Sequence, residues 1–471
     1  MRVDLVTHLR KTGPRHASNL LADLAVSRAT LSRAVAAAGG QVVVRGQARR
    51  ARYATRRALR GSWASLPLYR VDQQGQLHEA ATLDLCHPTG SALAFAEPFA
   101  WPLDMAKDSL MRDGWFEGLP YPLHDARPQG FLGRKFARQY AGLLQMADDP
   151  QAWSDDDALH AMSLLGWDLP GDLIVGEQAG RRWLDHAQRV RTQPPQSAQG
   201  MLSVIGDAEL AAAYPQRANE AMADGAPQSS AGGEFPKFLA LRDVPGAGLQ
   251  HVLVKFSGND GSPGAQRWAD LLVCEQLASL VLQDILSIET VQSRIHRHAS
   301  RTFLEVQRFD RHGALGRSGV VSWGSVNATF YGLAGRPWHE GAQRLQATGW
   351  LSAEDAQRIA LIWHFGQLIA NTDMHDGNLS FQAAATPRGA GLKLAPVYDM
   401  LPMLYAPQRG VELPGHAYEP RLPLPAQQAA WQHAAAAALV FWQRAAAEVR
   451  VSDAFRRVCE GNAQTLRKLI G

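Results

Sequence analysis

The stretch from Ile359 to Asp399 constrains the fold more than any other part of the chain. Ile359, Ile362, Phe365, Leu368 and Ile369 recur at helical spacing and run straight into the polar loop Asn371-Thr372-Asp373-Met374-His375-Asp376-Gly377-Asn378. A strand-like Leu379–Phe381 follows, and a short apolar run, Lys393 to Tyr398, then ends on Asp399. A helix, a polar loop and a strand that returns a carboxylate to the loop together specify a built site.

Asp373 can accept or orient the proton of an attacking hydroxyl, and Asn378, five residues on, can place its carbonyl oxygen on Mg²⁺. D-x-x-x-x-N alone says little, since ordinary residue frequencies give about one chance match in a chain this long. Asp399 adds the rigid carboxylate that a hard cation bridging nucleotide phosphates requires. Lys255 closes the set. It ends the aliphatic run His251-Val252-Leu253-Val254 and offers an ammonium to α/β-phosphate oxygens. An ion-pair partner for it is expected on the helix that follows, at Asp270 or Glu275. His375 sits among these residues without a second histidine at ligand spacing, which favours a loop-stabilising role beside the nucleotide over metal binding.

At 471 residues the chain is too long for one ordinary core. Its net charge of +4 hides an asymmetry, because residues 1–60 carry thirteen Lys or Arg against two acids, Asp4 and Asp23. Ser18–Ala25 and Thr30–Ala37 have helical spacing around Val26-Ser27-Arg28, with Ser27 as the expected N-cap. Two short strands, Gln41–Val44 and Ala51–Thr55, flank an arginine-rich turn. These features predict a winged helix-turn-helix. Arg28, Thr30, Ser32 and Arg33 would reach base edges and phosphates of duplex DNA, and Arg45, Arg49, Arg50 and Arg52 would make phosphate contacts through the wing. The alternative is a solvated, arginine-rich hairpin on a protein-binding domain.

Strand-like pieces such as Leu66–Val71, Gly90–Phe95, Phe238–Arg242 and His251–Phe256 come before the mainly helical stretches Ala265–Leu282, Glu354–Ile369 and Trp431–Glu448. This order predicts an α+β fold: a two-lobed, protein-kinase-like body behind the N-terminal module. The expected divisions are residues 1–60, 61–260 and 261–471. Cys86, Cys274 and Cys459 lie far apart, which argues against a disulfide framework and fits a reducing cytoplasm. No apolar run reaches membrane-spanning length.

Asn371–Ser380 with Leu394–Leu401 resembles the T-D-x-H-x-x-N-x-S and L-x-P-x-Y-D-x-L signatures of the HipA-like serine/threonine kinases, toxins of bacterial toxin–antitoxin modules. Val306–Asp310, Ser230–Lys237 and Trp115–Pro120 resemble further family segments in the same order, and the N-terminal module resembles the YjjJ-like subgroup. The resemblance implies ATP and Mg²⁺ as cofactors. It makes Asp373 the base, Asn378 and Asp399 the metal ligands, and Lys255, Lys237, Gly232 and Gly233 the phosphate-binding groups. Ser230, or its neighbour Ser229, would be autophosphorylated. It also implies a protein substrate such as an aminoacyl-tRNA synthetase, and an antitoxin partner. Two departures stand out: Gly377 occupies a position that is often lysine in the family, and Gln307 replaces a glutamate. A DNA-binding regulator with a nucleotide-sensing body and a small-molecule kinase are the competing readings.

Overall fold

The computed structural model describes residues 4–105, 110–192, 204–223, 235–386, 389–408, 413 and 415–470. The N-terminal part folds as α1 (Leu5–Thr12), β1 (Arg15–His16), α2 (Ala17–Asp23), α3 (Arg28–Ala38), β2 (Val42–Arg45) and β3 (Arg52–Thr55). Ser27 opens α3 as its position suggests. Its Oγ accepts from the Thr30 amide at 3.2 Å, satisfying one of the amides that a helix start leaves unpaired. The strands form an antiparallel sheet in the order β1-β3-β2, and Leu5, Leu9, Leu20, Leu31 and Val42 form a small core beneath it.

Next come β4 (Leu66–Val71), β5 (Leu77–Leu85), β6 (Ser91–Phe95), β7 (Trp115–Phe116), α4 (Gly130–Leu144), α5 (Asp155–Leu165), β8 (Leu173–Val175) and α6 (Glu177–Thr192). The five strands make an antiparallel sheet in the order β7-β6-β5-β4-β8. Val43 and Ala54 of the first module share a buried cluster with Cys86, Ala92 and Trp115, so the β2–β3 hairpin is packed onto this sheet.

The chain continues through β9 (Val204–Ile205), α7 (Leu210–Ala223), β10 (Lys237–Val244), β11 (Gly248–Phe256), α8 (Pro263–Leu286), β12 (Ser293–His298) and β13 (Arg301–Gln307). A second five-stranded sheet has the order β9-β10-β11-β13-β12, with α8 packed against it. The remainder is mostly helical: β14 (Arg311–His312), β15 (Gly316–Arg317), β16 (Val321–Ser322), α9 (Trp323–Phe330), α10 (Trp338–Ala347), α11 (Ala353–Leu368), β17 (Ser380–Thr386), β18 (Gly389–Leu394), α12 (Gln428–Ala447) and α13 (Asp453–Ile470). Ile359, Ile362 and Phe365 of α11 meet Ala434, Ala438 and Phe441 of α12 in the largest core. The whole is mixed α+β. Among the described residues no helix is long and apolar enough to cross a membrane.

Two buried histidines give this fold an acid limit. His251 on β11 is hydrogen-bonded to the Ala314 carbonyl at 3.1 Å, and burial pulls its pKa down to about 4. His364 on α11 stacks on His339 at 5.5 Å between ring centroids and is likewise pulled down to about 4, by burial and then by His339. Unfolding returns both toward 6.5, so the folded chain binds fewer protons between pH 4 and 6.5. Their contribution is full above about pH 6.5 and is lost as pH falls, by up to about 3 kcal/mol per histidine. Urea midpoints should drop between pH 7.5 and 5.0. Equal midpoints would mean these rings are not desolvated.

Candidate active site

In the β10–β11 pair, Lys237 stands directly across from Lys255. Opposed residues on an antiparallel pair share a face, and both side chains line a cleft of about 830 Å³ with Asp373, His375, Asn378 and Asp399. This size suits a nucleotide-scale ligand. The far wall comes from the middle of the chain and includes Arg127, Gln129 and Arg134, which nothing in the local sequence pattern had marked.

Lys255 is only 6 % exposed. Its Nζ donates to both carboxylate oxygens of Glu275 at 2.7 and 2.8 Å and to Asp399 Oδ1 at 2.5 Å. Glu275 is thus the partner on α8. Asp270 faces elsewhere, accepting from the amide and hydroxyl of Ser452 at 2.8 and 2.6 Å just before α13. Burial pulls the Lys255 pKa down, but Asp399 and Glu275 outweigh it and hold the ammonium charged. Burial also pushes Asp399 up; Lys255 and then Lys237 overcome it, so Asp399 stays ionised.

The polar loop after α11 is fastened at almost every residue. Ala370 and Asp399 both adopt left-handed backbone conformations, at φ 61° and 57°, where a side chain is strained. Asn371 Oδ1 accepts from the Asp373 amide at 3.1 Å, and Asn378 Nδ2 donates to the Asp373 carbonyl at 2.9 Å. That second bond fixes the Asn378 amide, leaving Oδ1 as its ligand-side atom. His375 Nδ1 accepts from the Gly377 amide at 3.1 Å, which is the loop-fastening role expected of it. Tyr398 donates to the Gly377 carbonyl at 2.7 Å and pairs with Ser380 Oγ at 2.7 Å.

Two ties to this loop have no local sequence signal. Asn327 on α9 donates to Asp376 at 2.7 Å. Asp125, from the middle of the chain, accepts from the amide and hydroxyl of Ser322 at 2.6 Å each and so steadies the start of α9. The loop with Ser229, Ser230, Gly232 and Gly233 lies outside the described residues.

The donor set suits Mg²⁺. Among the described residues no group of three or more His, Cys, Asp or Glu side chains forms an ion cage. Mg²⁺ is commonly held by one or two carboxylates together with substrate phosphates, and Asp399 with the oriented Asn378 amide would be the groups to hold it here.

The N-terminal cations divide into two groups. Arg28, Ser32 and Arg33 are exposed on α3, whereas Thr30 is half-buried with its hydroxyl 3.0 Å from Ser27 Oγ. In the hairpin, Arg45 turns inward to Asp84 at 2.5 Å and the Leu93 carbonyl at 3.0 Å, and Arg50 pairs with Asp113 at 3.2 Å. Arg56 also reaches Asp84, at 2.8 Å, and Arg57 and Arg60 pair with Asp156 and Asp157. Arg49 is exposed and Arg52 half-buried, its pKa lowered by burial. Arg45, Arg50, Arg56, Arg57 and Arg60 therefore join the first module to the sheet and to α5 beside it.

Comparison with known proteins matches residues 62–184 to the YjjJ-like toxin middle domain and residues 229–466 to the HipA-like C-terminal domain. Toxin YjjJ of Escherichia coli (strain K12) is 37% identical over 468 residues, covering 98% of this chain and 97% of that protein. The chain belongs to the YjjJ-like toxin family. The resemblance read from its motifs is therefore correct. Among solved structures, Shewanella oneidensis MR-1 HipA, in a complex with HipB and its operator DNA, aligns with TM-score 0.48 at 15% identity over 85% of this chain and 95% of that one. The Helicobacter pylori proinflammatory kinase CtkA aligns with TM-score 0.32 at 11% identity over 47% and 85%. In this YjjJ-like chain Lys237, Lys255, Asp373, Asn378 and Asp399 all fall inside the HipA-like match, and the Asp125 tie falls inside the middle-domain match.

Proposed function

We propose that this YjjJ-like chain is a toxin kinase that transfers the γ-phosphate of Mg²⁺-ATP to a serine or threonine hydroxyl of a protein. The observation that supports this most is Lys255 held between Glu275 and Asp399 in a cleft that also receives Asp373 and Asn378. Asp373 takes the acceptor hydroxyl's proton, while Lys255 and Lys237 hold phosphate oxygens. Asn378 and Asp399 would hold Mg²⁺, which offsets negative charge on the phosphates. Gly377 brings no side-chain donor to the γ-phosphate. The Ser230–Lys237 segment, with Gly232 and Gly233, would supply backbone amides to the phosphates. Phosphate on Ser230 or Ser229 would compete for those donors and silence the enzyme. The acceptor is a translation protein such as an aminoacyl-tRNA synthetase, and an antitoxin restrains the kinase.

Radiolabelled ATP incubated with the purified chain and a cell lysate tests this. A labelled protein band that disappears on chelating divalent metal supports it. Label confined to a small metabolite would make the chain a small-molecule kinase. ATP binding without transfer would leave a nucleotide sensor.

A second activity is favoured by the exposed residues of α3 and by the β1-β3-β2 sheet behind it. We propose that this module is a winged helix-turn-helix that binds duplex DNA, mainly through α3 because Arg45 and Arg50 have carboxylate partners. Arg28→Ala/Arg33→Ala in the whole chain should weaken DNA binding about tenfold or more and reduce the salt dependence by about two counterions. An unchanged salt slope would remove α3 from the interface.

A further inference from the structure

A second buried charge cluster lies where the middle sheet meets β11, β14 and β15, away from the cleft. Arg308 grips Asp310 through Nε and Nη2 at 3.0 and 2.8 Å. Arg311 donates to Asp310 at 2.7 Å, to the Gly171 and Leu169 carbonyls at 2.9 and 2.7 Å, and to Asp168 at 3.2 Å. Arg317 donates through Nη2 to the Trp167 carbonyl at 2.7 Å and to Asp168 at 3.4 Å, and its guanidinium lies over the Trp183 ring at 4.4 Å.

The cluster is unbalanced in two ways. Around the space between the arginines two guanidinium groups, Arg311 and Arg317, face one carboxylate, Asp168. His251 brings no positive charge, being neutral with a pKa of about 4, while Asp172, held up at about 6 mainly by burial and so ionised at neutral pH, belongs to the cluster but does not line that space. The second imbalance is in hydrogen bonding. Nε and Nη1 of Arg317, Nε of Arg311 and Nε1 of Trp183 are all buried with no hydrogen-bond partner among the described residues. Each of these four atoms is a donor.

Arg311, Arg317, Trp183, Asp168, His186 and His251 enclose a cavity of about 20 Å³. That is room for a single atom-sized guest, since one water needs roughly 10–15 Å³ by the same measure, and it is too small for phosphate or sulfate. Water accepts at most two hydrogen bonds, fewer than these four donors offer. A monatomic anion accepts from every donor and supplies the missing negative charge.

We propose that this cavity is a halide site, occupied by chloride, which pins the middle domain to the sheet that carries Lys255. The Gly171 amide donates to Asp310 at 3.0 Å in the same cluster, so the anion sits inside the joint between the two parts. The site does not depend on the kinase reading.

Crystals of the whole chain grown in sodium bromide give the direct test. An anomalous peak within hydrogen-bonding distance of Arg317 and Arg311 is expected; ordinary water density there without anomalous signal would overturn the site. In solution, thermal unfolding at constant ionic strength, with chloride exchanged for the much larger gluconate, should show a midpoint that rises by a few degrees and saturates with chloride. A chloride-independent midpoint in the wild type would overturn it as well. Arg317→Met should abolish the chloride response. Should that variant fail to fold, the wild-type titration and the bromide crystals still decide the matter.

Discussion

Replacing Asp373 with alanine is expected to lower phosphotransfer about a thousandfold or more while ATP affinity stays within a few-fold of wild type. The expectation follows from what the main chain of the residue holds. Asn378 is oriented by the Asp373 main-chain carbonyl, and Asn371 receives the Asp373 main-chain amide. Alanine keeps both bonds. Only the carboxylate disappears, and a positioned base contributes typically 10²–10⁴-fold. Single-turnover transfer from labelled ATP, beside an equilibrium nucleotide-binding measurement, separates the two effects. A variant that keeps a tenth of the wild-type rate would mean Asp373 is not the base. Loss of ATP binding would mean that its side chain holds the nucleotide.

Lys255→Met should be the most destabilising single change in the cleft. The ammonium stands between two carboxylates, and Glu275 is 3 % exposed. Removing one member of a buried pair leaves the other charge uncompensated, which costs about 3–5 kcal/mol. The folded-state pKa of Lys255 lies above its ordinary value. Its contribution is therefore fully present below about pH 10.4 and is lost only as pH rises through the folded value. In the variant the deficit should shrink as the pH is lowered, because Glu275, already pushed up by burial, then takes a proton. Adding Glu275→Leu should recover most of the stability without restoring ATP binding. Urea unfolding at pH 7.5 measures both. A full-strength double mutant that still binds ATP would break the assignment of Lys255 to the phosphates.

These residues also mark where sequence reasoning succeeds and where it stops. The gathering of Asp373, Asn378 and Asp399 in one cleft was legible because one helix, one loop and one returning strand carry all three, so chain spacing nearly fixes their spatial relation. Glu275 could not be told from Asp270 by pattern, because α8 is buried on almost every side and both acids are inside. Helix α4 went unread. Gly130, Gly133 and Gly142 dilute its helical propensity, and Gly133 is there because Pro128 leaves no room for a Cβ. For the cationic first sixty residues, composition reports charge without its partners, so the wing arginines could not be told from α3's as DNA contacts. Asp84, Asp156 and Asp157 lie dozens of residues further along the chain, and only the folded structure joins them to Arg45, Arg57 and Arg60. The Ser229–Ser230 expectation awaits its own test by phosphopeptide mapping, in which unmodified serines in ATP-treated active protein would remove it.

The bonds from Asp125 to Ser322, and from Asn327 to Asp376, make the HipA-like segment less portable than its sequence boundaries suggest. A piece cut to residues 229–466 would keep every side chain assigned to phosphotransfer. It would also carry an α9 whose first turn has lost its carboxylate clasp, and Arg311 without Asp168 and the Gly171 carbonyl. Grafting this domain onto another chain, or exchanging its middle domain for a relative's, therefore means moving both sides of those joints together.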